Sequence, residues 1–452
     1  MEQKYIVALE TGSSKIRGAI GSVDASGILT VKAVEEERLV DGVRYGCVRN
    51  VAEVSQAISD ILGRLEARDP SRRITGIYVA LGGKSTVLST CHVERRLPVE
   101  TEITDNHIQQ IANEARSTVL NDRDIVAVTP REFTIDGDRT RTPAGTFGRN
   151  ISAVYNLVSC RSQLKRNLNH VLGKTGVAVH GMVVRQLALA DLVLTREEKR
   201  LGCMLVDFGA ETVTVSFYKD GVLVYLATLP MGSRNITRDI TSLHHLEEKA
   251  EHLKKTAGNA HPGGNSDFPA DGADFTDINN LVSARAGEII ANIAEQIKYA
   301  RLSAMDLPAG IIVTGGGAKL KGFNTRLEQA TRLSVRTGLP GSNIRIVDNR
   351  IQPVDAVDVI SILAAVAIHG KPCMEEVAAE PEPVSEPAAQ PATYIPTLGE
   401  DPDDDPLEGL EEDEPRRPRT KRLSPLLQRL KQKMAGLMED NDDDEELSEI
   451  EK

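Results

Sequence analysis

Two kinds of apolar patterning divide the chain. Over residues 1–370 the apolar positions come largely in short solid runs, Tyr5–Leu9, Ile16–Ile20, Cys203–Asp207, Val213–Tyr218, Val222–Thr228 and Gly310–Val313, most of them ending at a glycine-bearing turn. Runs of that length and composition predict buried strands of an α/β protein. Residues Leu246 to Lys254 predict a helix. Near the end of the sequence the spacing changes. Leu423, Leu426, Leu427, Leu430, Met434, Leu437 and Met438 follow the i, i+3, i+4, i+7 rule, which lines one face of an α-helix. Ser424 and Pro425 supply an N-cap and a proline at the first helical position.

Three turns in the body carry candidate chemistry. The first is Glu10-Thr11-Gly12-Ser13-Ser14-Lys15, between two strands. Gly12 lets backbone approach a ligand, Ser13 and Ser14 offer N–H and hydroxyl donors, and Lys15 offers a point charge, a phosphate-cradle composition. Polar hairpin turns of this kind are also commonly just solvated. The second, Asp207-Phe208-Gly209-Ala210-Glu211-Thr212, repeats the first about 195 residues later and predicts an internal duplication, two related halves facing each other across a cleft. The third is Thr314-Gly315-Gly316-Gly317-Ala318-Lys319, whose glycines leave a flat surface for a planar base. On the helix between the second and third turns, Glu251 and Lys254 share a face by i, i+3 spacing. They hold either a ribose and phosphate or simply each other, as an exposed ion pair.

Charge belongs to the tail. The chain carries −12 overall. Residues 371–418 contain fifteen acids against three basic residues, and residues 439–452 contain nine acids against Lys452. Between them, residues 419–438 carry six basic residues and no acid, so the body is near neutral and no nucleic-acid-binding stripe is indicated. The segment 371–418 is too poor in large apolar residues to fold and predicts a disordered tether, about 40 Å in root-mean-square span. The cationic helix after it suits an anionic lipid surface, with Lys431 and its basic neighbours at the phosphates and the leucines and methionines in the acyl boundary. Spanning a bilayer would cost roughly 2.5–3.5 kcal/mol for each buried basic residue. Packing on a protein partner is the other use for such a helix. Five scattered cysteines without a CxxC, no secretory leader pattern and no long apolar run predict a cytoplasmic protein that meets a membrane from that side.

In order and content these motifs resemble the actin-like ATPase superfamily, which includes sugar kinases and heat-shock chaperones. Within it they resemble the FtsA family of bacterial cell-division proteins. Further stretches that carry the resemblance are Ile77–Gly83, Ile103–Asp105, the Pro143-x-Gly145 loop, Leu229–Asp239, Ile311–Phe323 and the terminal basic helix. The resemblance implies a two-lobed α/β fold around ATP and Mg²⁺. Its nucleotide contacts would be Gly12, Ser13, Ser14, Lys15, Asp207, Gly209, Glu211, Thr212, Gly232, Ser233, Glu251, Lys254, Gly315, Gly316 and Gly317, with Glu10 and Asp207 reaching Mg²⁺ through water. Expected subdomains are the first lobe at 1–83 and 168–200, an inserted polymerisation subdomain at 84–167, the second lobe at 201–234, and its upper subdomain at 235–308, which would receive the FtsZ C-terminal peptide. Residues 309–370 would complete the second lobe and return to the first, succeeded by the linker 371–418, the membrane helix 419–438 and the acidic tail 439–452. The implied function is to polymerise on the cytoplasmic face of the inner membrane as a peripheral protein at the division septum, to tether FtsZ filaments there, and to help recruit later division proteins. A pilus or secretion scaffold, or a small-metabolite kinase, are the alternatives on the same fold.

Three departures from the family pattern bear on mechanism. Glu10 stands where Asp is usual, which moves the carboxylate one methylene outward. Glu211 brings a negative charge toward the phosphates. Arg185, in Met182–Ala188, stands where an acid or amide would orient water, and its neighbour Gln186 would have to shift to replace it. Slow or absent hydrolysis is therefore expected, with nucleotide acting as a structural ligand.

Overall fold

The structure is a computed structural model that describes residues 3–263 and 275–377. Three strands, β1 (Lys4–Thr11), β2 (Lys15–Val23) and β3 (Leu29–Arg38), run as an antiparallel meander. A short hairpin, β4 (Val43–Arg44) and β5 (Cys47–Val48), leads into α1 (Val51–Glu66). Asn50 caps α1 by accepting the Glu53 amide, and Val54, Ile58, Ile61 and Leu65 bury at the helical period. Next come β6 (Arg72–Ile74) and β7 (Gly76–Leu81), the latter parallel to β1.

The chain then leaves this lobe. Strands β8 (Val87–Glu102), β9 (Arg123–Ile135), β10 (Asp138–Thr140) and β11 (Phe147–Arg161), with α2 (Asp105–Arg116) between β8 and β9, form a separate sheet in the order β10-β9-β11-β8. Its core is its own, built from Val93, Ile103, Ile111, Phe133, Ile151 and Tyr155. The next helix, α3 (Ser162–Gly173), buries Leu168, Val171 and Leu172 in the first-lobe core instead. The insertion therefore ends near Arg161, a few residues before the expected boundary at Asn167, because the apolar face of α3 finds its complement on the first lobe. Strand β12 (Ala178–Val184) pairs in parallel with β7, and α4 (Arg185–Val193) and α5 (Arg196–Leu201) lead onward.

The second lobe repeats the meander with β13 (Cys203–Phe208), β14 (Val213–Lys219) and β15 (Val222–Leu229). Helices α6 (Ser233–Thr241), α7 (Glu247–Thr256) and α8 (Thr276–Tyr299) come next, then β16 (Ile311–Thr314), α9 (Phe323–Thr331) and β17 (Val335–Thr337). The sheet orders are β12-β7-β1-β2-β3-β18 and β15-β14-β13-β16-β17. In both, the first strand of the meander has its second strand on one side and a parallel strand on the other, so the duplication seen in the sequence is present in topology. The chain returns to the first lobe through β18 (Ile344–Ile346), parallel to β3, and α10 (Pro353–Val366), whose Val359, Ile360, Ile362 and Leu363 are buried in its core.

Residues 371–377, expected as the start of the linker, belong to the body. Strand β19 (Met374–Glu376) pairs antiparallel with β6, and the Cys373 amide donates to the Tyr5 carbonyl at 2.8 Å. Cys373 and Met374 are buried; these two apolar residues give the segment something to pack, which the composition of the whole stretch concealed. Just after α7, Asn259 and Ala260 are buried, and Asn259 bridges in parallel to Lys321. Residues 378–418, the helix at 419–438 with Leu423 to Met438, and the tail at 439–452 lie outside the described residues. Among the described residues no helix is long and apolar enough to cross a membrane.

Candidate functional site

Parallel pairing sets the site. Val184 at the end of β12 lies in register with Leu81 at the end of β7, and β7 is in turn parallel to β1, so Arg185 emerges beside the end of β1. There its guanidinium bridges two carboxylates from different lobes. Nη1 donates to Glu10 Oε1 at 2.9 Å, and Nη2 donates to Asp207 Oδ2 at the end of β13. Both acids are buried, while the Arg185 side chain remains 18 % exposed. The second oxygens are turned toward backbone. Glu10 Oε2 lies 3.2 Å from where a Cβ on Gly12 would stand, and Asp207 Oδ1 lies 2.8 Å from the same point on Gly315. Burial pushes the Glu10 carboxyl up to about 7 against the attraction of Arg185, and raises Asp207 also. Around this cluster Arg17 pairs with Asp358 at 2.7 Å and with Glu36 at 3.2 Å, and Lys15 pairs with Glu36 at 2.6 Å.

With both facing oxygens held by one guanidinium, Glu10 and Asp207 do not fit a hydrated Mg²⁺ in the way expected of them. Arg185 takes one lone-pair site on each carboxylate, and its guanidinium fills the space between them in which a hydrated cation would sit.

The first turn is otherwise as open as its composition predicts. The Gly12 amide closes it on the Lys15 carbonyl at 3.0 Å, and a Cβ on Gly12 would come within 2.8 Å of that oxygen. Ser13 and Ser14 are half-buried, and neither hydroxyl has a hydrogen-bond partner among the described residues. Lys15 points to Glu36 rather than standing free.

The second turn closes identically, Gly209 to Thr212 at 2.9 Å, but its tip is engaged. The Ser233 and Arg234 amides at the start of α6 donate to the Gly209 and Ala210 carbonyls at 3.0 and 2.7 Å, and Gly232 packs against Ala210. Glu211 is buried. Arg234 and Arg238 donate to its Oε1 at 3.2 and 3.4 Å, Arg44 stands 3.8 Å away, and the Tyr45 amide of the first lobe donates to Oε2 at 3.0 Å. The charge expected to oppose phosphate is thus neutralised by arginines from both lobes. Below it Glu251 and Lys254 pair at 2.6 Å, and Thr237 donates to Glu251 at 2.6 Å while Lys254 also reaches the Ser233 carbonyl at 3.2 Å. Lys254 is buried, so this is no exposed ion pair, and burial lowers its ammonium from the usual lysine range.

Of the glycine triplet, only Gly316 faces open space. Gly315 has φ +90°, and a Cβ on Gly317 would come within 2.5 Å of the Phe208 ring, so two of the three serve packing against β13. Lys319 at the end of the turn pairs across the lobes with Asp355 of α10. Gln186 is placed away from the turns. Its side chain is buried and its Nε2 donates to Ser216 Oγ of β14 at 2.8 Å, so it supports the lobe contact and cannot orient water at the Glu10–Asp207 cluster.

The residues missed by sequence reasoning are Arg17, Arg44, Arg234, Arg238, Asp355 and Asp358. Asp358 had a signal, as an acid flanked by Val357 and Val359 in an apolar helix. The arginines had none, since only the fold brings 44, 234 and 238 to one carboxylate.

Sequence and structure comparisons place this arrangement among known proteins. The family described as "Cell division protein FtsA" matches residues 204–364, and the "SHS2 domain inserted in FTSA" matches residues 83–159, the separate sheet described above. The cell division protein FtsA of Porphyromonas gingivalis is 31% identical over 336 residues, covering 71% of this chain and 70% of its own. The FtsA of Buchnera aphidicola subsp. Baizongia pistaciae is 26% identical over 368 residues, covering 76% and 86%. In three dimensions the chain is similar to one from a PilM–PilN type IV pilus biogenesis complex, with TM-score 0.57, 16% identity, and coverage of 80% of this chain and 98% of that one, a likeness of fold alone. With the inserted sheet where that family carries its SHS2 domain, and a relative of such identity across most of its length, the chain belongs to the FtsA family of cell-division proteins.

Proposed function

We propose that the chain binds ATP between its two lobes, polymerises on the cytoplasmic face of the inner membrane at the division site, tethers FtsZ filaments there and helps recruit later division proteins. One observation carries the nucleotide reading: the turns Gly12–Lys15, Gly209–Thr212 and Gly315–Gly317 come from both lobes to a cluster of cationic side chains, Lys15, Arg17, Arg185 and Lys319. Backbone amides, the unengaged Ser13 and Ser14 hydroxyls and cations that could turn from their acid partners toward a ligand suit a polyphosphate, and the open face of Gly316 suits a base. Glu251 and Lys254, joined to Thr237 and Ser233, stand beside the second turn as candidate ribose and phosphate contacts. Turnover is slow in this reading, because Arg185 holds the carboxylates and Gln186 is held by Ser216. Hydrolysis at about ten per second or faster would reject it.

The groove between α6 and α8, about 360 Å³ and lined by Arg238, Asp239, Ser242, Leu281, Ala284 and Arg285, is where the FtsZ C-terminal peptide would dock. Leu281 and Ala284 set among the charged side chains Arg238, Asp239, Arg285 and Glu288 suit a short peptide that carries both apolar and charged residues. Membrane attachment falls to the basic amphipathic spacing of residues 419–438, with anionic lipids as partner. The test is co-sedimentation with anionic liposomes of the full chain against a truncation ending at Pro418, with and without ATP and with an FtsZ tail peptide. Lipid binding that disappears on truncation, and peptide binding that does not, is the expected result. Unchanged lipid binding by the truncation would reject the tether.

A further inference from the structure

Nothing in the family's nucleotide chemistry calls for an arginine between the two strand-end carboxylates, yet the fold is built to hold one there. Arg185 is the first residue of α4, its backbone is anchored by the β12–β7 register, and its guanidinium is held by the two carboxylates. It contacts one oxygen from each lobe, and the other oxygen of each acid is turned against a glycine, Gly12 or Gly315, where no side chain fits. Replacing the guanidinium with a hydrated cation would demand that Arg185 leave a site walled by β7, β12 and the two turns. Of the five N–H donors on a guanidinium, the carboxylates take two. The others remain for oxygens in the cleft, and the side chain is still partly accessible from it.

We propose that Arg185 occupies the position of a divalent cation, so that the cleft takes a nucleoside triphosphate free of metal, with Arg185 as the counter-charge to its phosphates. This rests on the ATP reading above. A planar guanidinium matches phosphate geometry as a fork and stays charged at every accessible pH, which makes it a permanent substitute where a bound metal would exchange. Arg17 and Lys319 are neutralised by Asp358 and Asp355, so the counter-charge falls to Arg185.

The experiment measures binding of a fluorescent ATP analogue to the full chain in excess Mg²⁺ and in EDTA, alongside Mn²⁺ binding monitored by electron paramagnetic resonance without nucleotide. The wild-type chain binds the analogue with affinities within about threefold in the two buffers and holds no Mn²⁺ in the cleft. Arg185→Gln frees both carboxylates, so the variant binds Mn²⁺ and its nucleotide affinity becomes at least about tenfold tighter with Mg²⁺ than without. Loss of wild-type binding by about tenfold or more in EDTA overturns the inference and leaves ATP binding standing. No binding in either buffer overturns the ATP reading and the inference with it. The comparison on the wild-type chain decides the matter even where Arg185→Gln does not fold.

Discussion

The first and second hairpins are copies in backbone and opposites in use. Each is an acid, one residue and a glycine, each glycine amide closes on a carbonyl three residues later, at 3.0 and 2.9 Å, and each acid is held by Arg185. They part at the tip. Ser13 and Ser14 are half-buried without side-chain partners among the described residues. Ala210 and Glu211 are pinned by α6, by arginines from both lobes and by the Tyr45 amide. The same turn thus leaves its tip hydroxyls unengaged in one lobe and fastens the lobes together in the other. A duplicated motif predicts equal roles only as far as its tip residues are equal.

The largest test of that contrast is Glu211→Ala. Removing the buried carboxylate at the centre of this network leaves Arg234, only 13 % exposed, with Glu247 alone at 3.7 Å, and strips the Tyr45 amide of its acceptor. The expected cost is about 3–5 kcal/mol, read from the denaturation midpoint. A loss under about 1 kcal/mol would show that the second tip is not a fastening.

The acids below the tips supply a pH test. Burial holds Glu10 near 7 against an ordinary value of 4.5, so between these values the folded chain binds more protons than the unfolded one. Its stabilising effect is therefore full below about pH 4.5 and is lost as pH rises through about 7, by up to about 3 kcal/mol. Glu10→Gln removes that dependence, so the stability difference between variant and wild type should change with pH across this window. A difference flat from pH 5 to pH 8 would mean that Arg185 fully offsets the burial.

How legible the molecule was depends on where each signal resides. The solid apolar runs marked the strands and the turns, and glycine spacing marked the duplication, because both are local. Glu211 was readable as a charge in an odd place but not as a neutral one, since its partners come from residues 44, 45, 234 and 238. Arg185 was readable as a departure, yet its reach to Glu10 and Asp207 depends on a parallel register between strands about a hundred residues apart. The edge strand at Met374–Glu376 was hidden because acids further along the chain dominate the composition of its stretch. Local pattern carried the elements, and nonlocal pairing decided which polar residues are free.

The third turn sharpens the contrast within three residues. Gly317→Ala drives a Cβ to within 2.5 Å of the Phe208 ring and should cost about 1–3 kcal/mol. Gly316→Ala meets nothing within 4 Å, so its stability should stay within about 0.5 kcal/mol while nucleotide affinity falls. Equal stability losses would place Gly316 in the packing as well.

The smallest expected effect on stability belongs to the first tip. Ser13→Ala removes a hydroxyl with no partner among the described residues, so the folded chain should lose no more than about 0.5 kcal/mol. If that hydroxyl meets a phosphate, the variant should bind ATP about ten- to a hundredfold more weakly, the worth of one hydrogen bond to a charged group. The two measurements have to be made together, because their ratio carries the contrast. At Glu211 stability should fall far more than any local loss of affinity explains, and at Ser13 affinity should fall with stability intact. A Ser13→Ala variant that is less stable yet binds nucleotide normally would reverse the assignment, making the first tip a structural element and leaving the engaged second tip as the better candidate for meeting ligand.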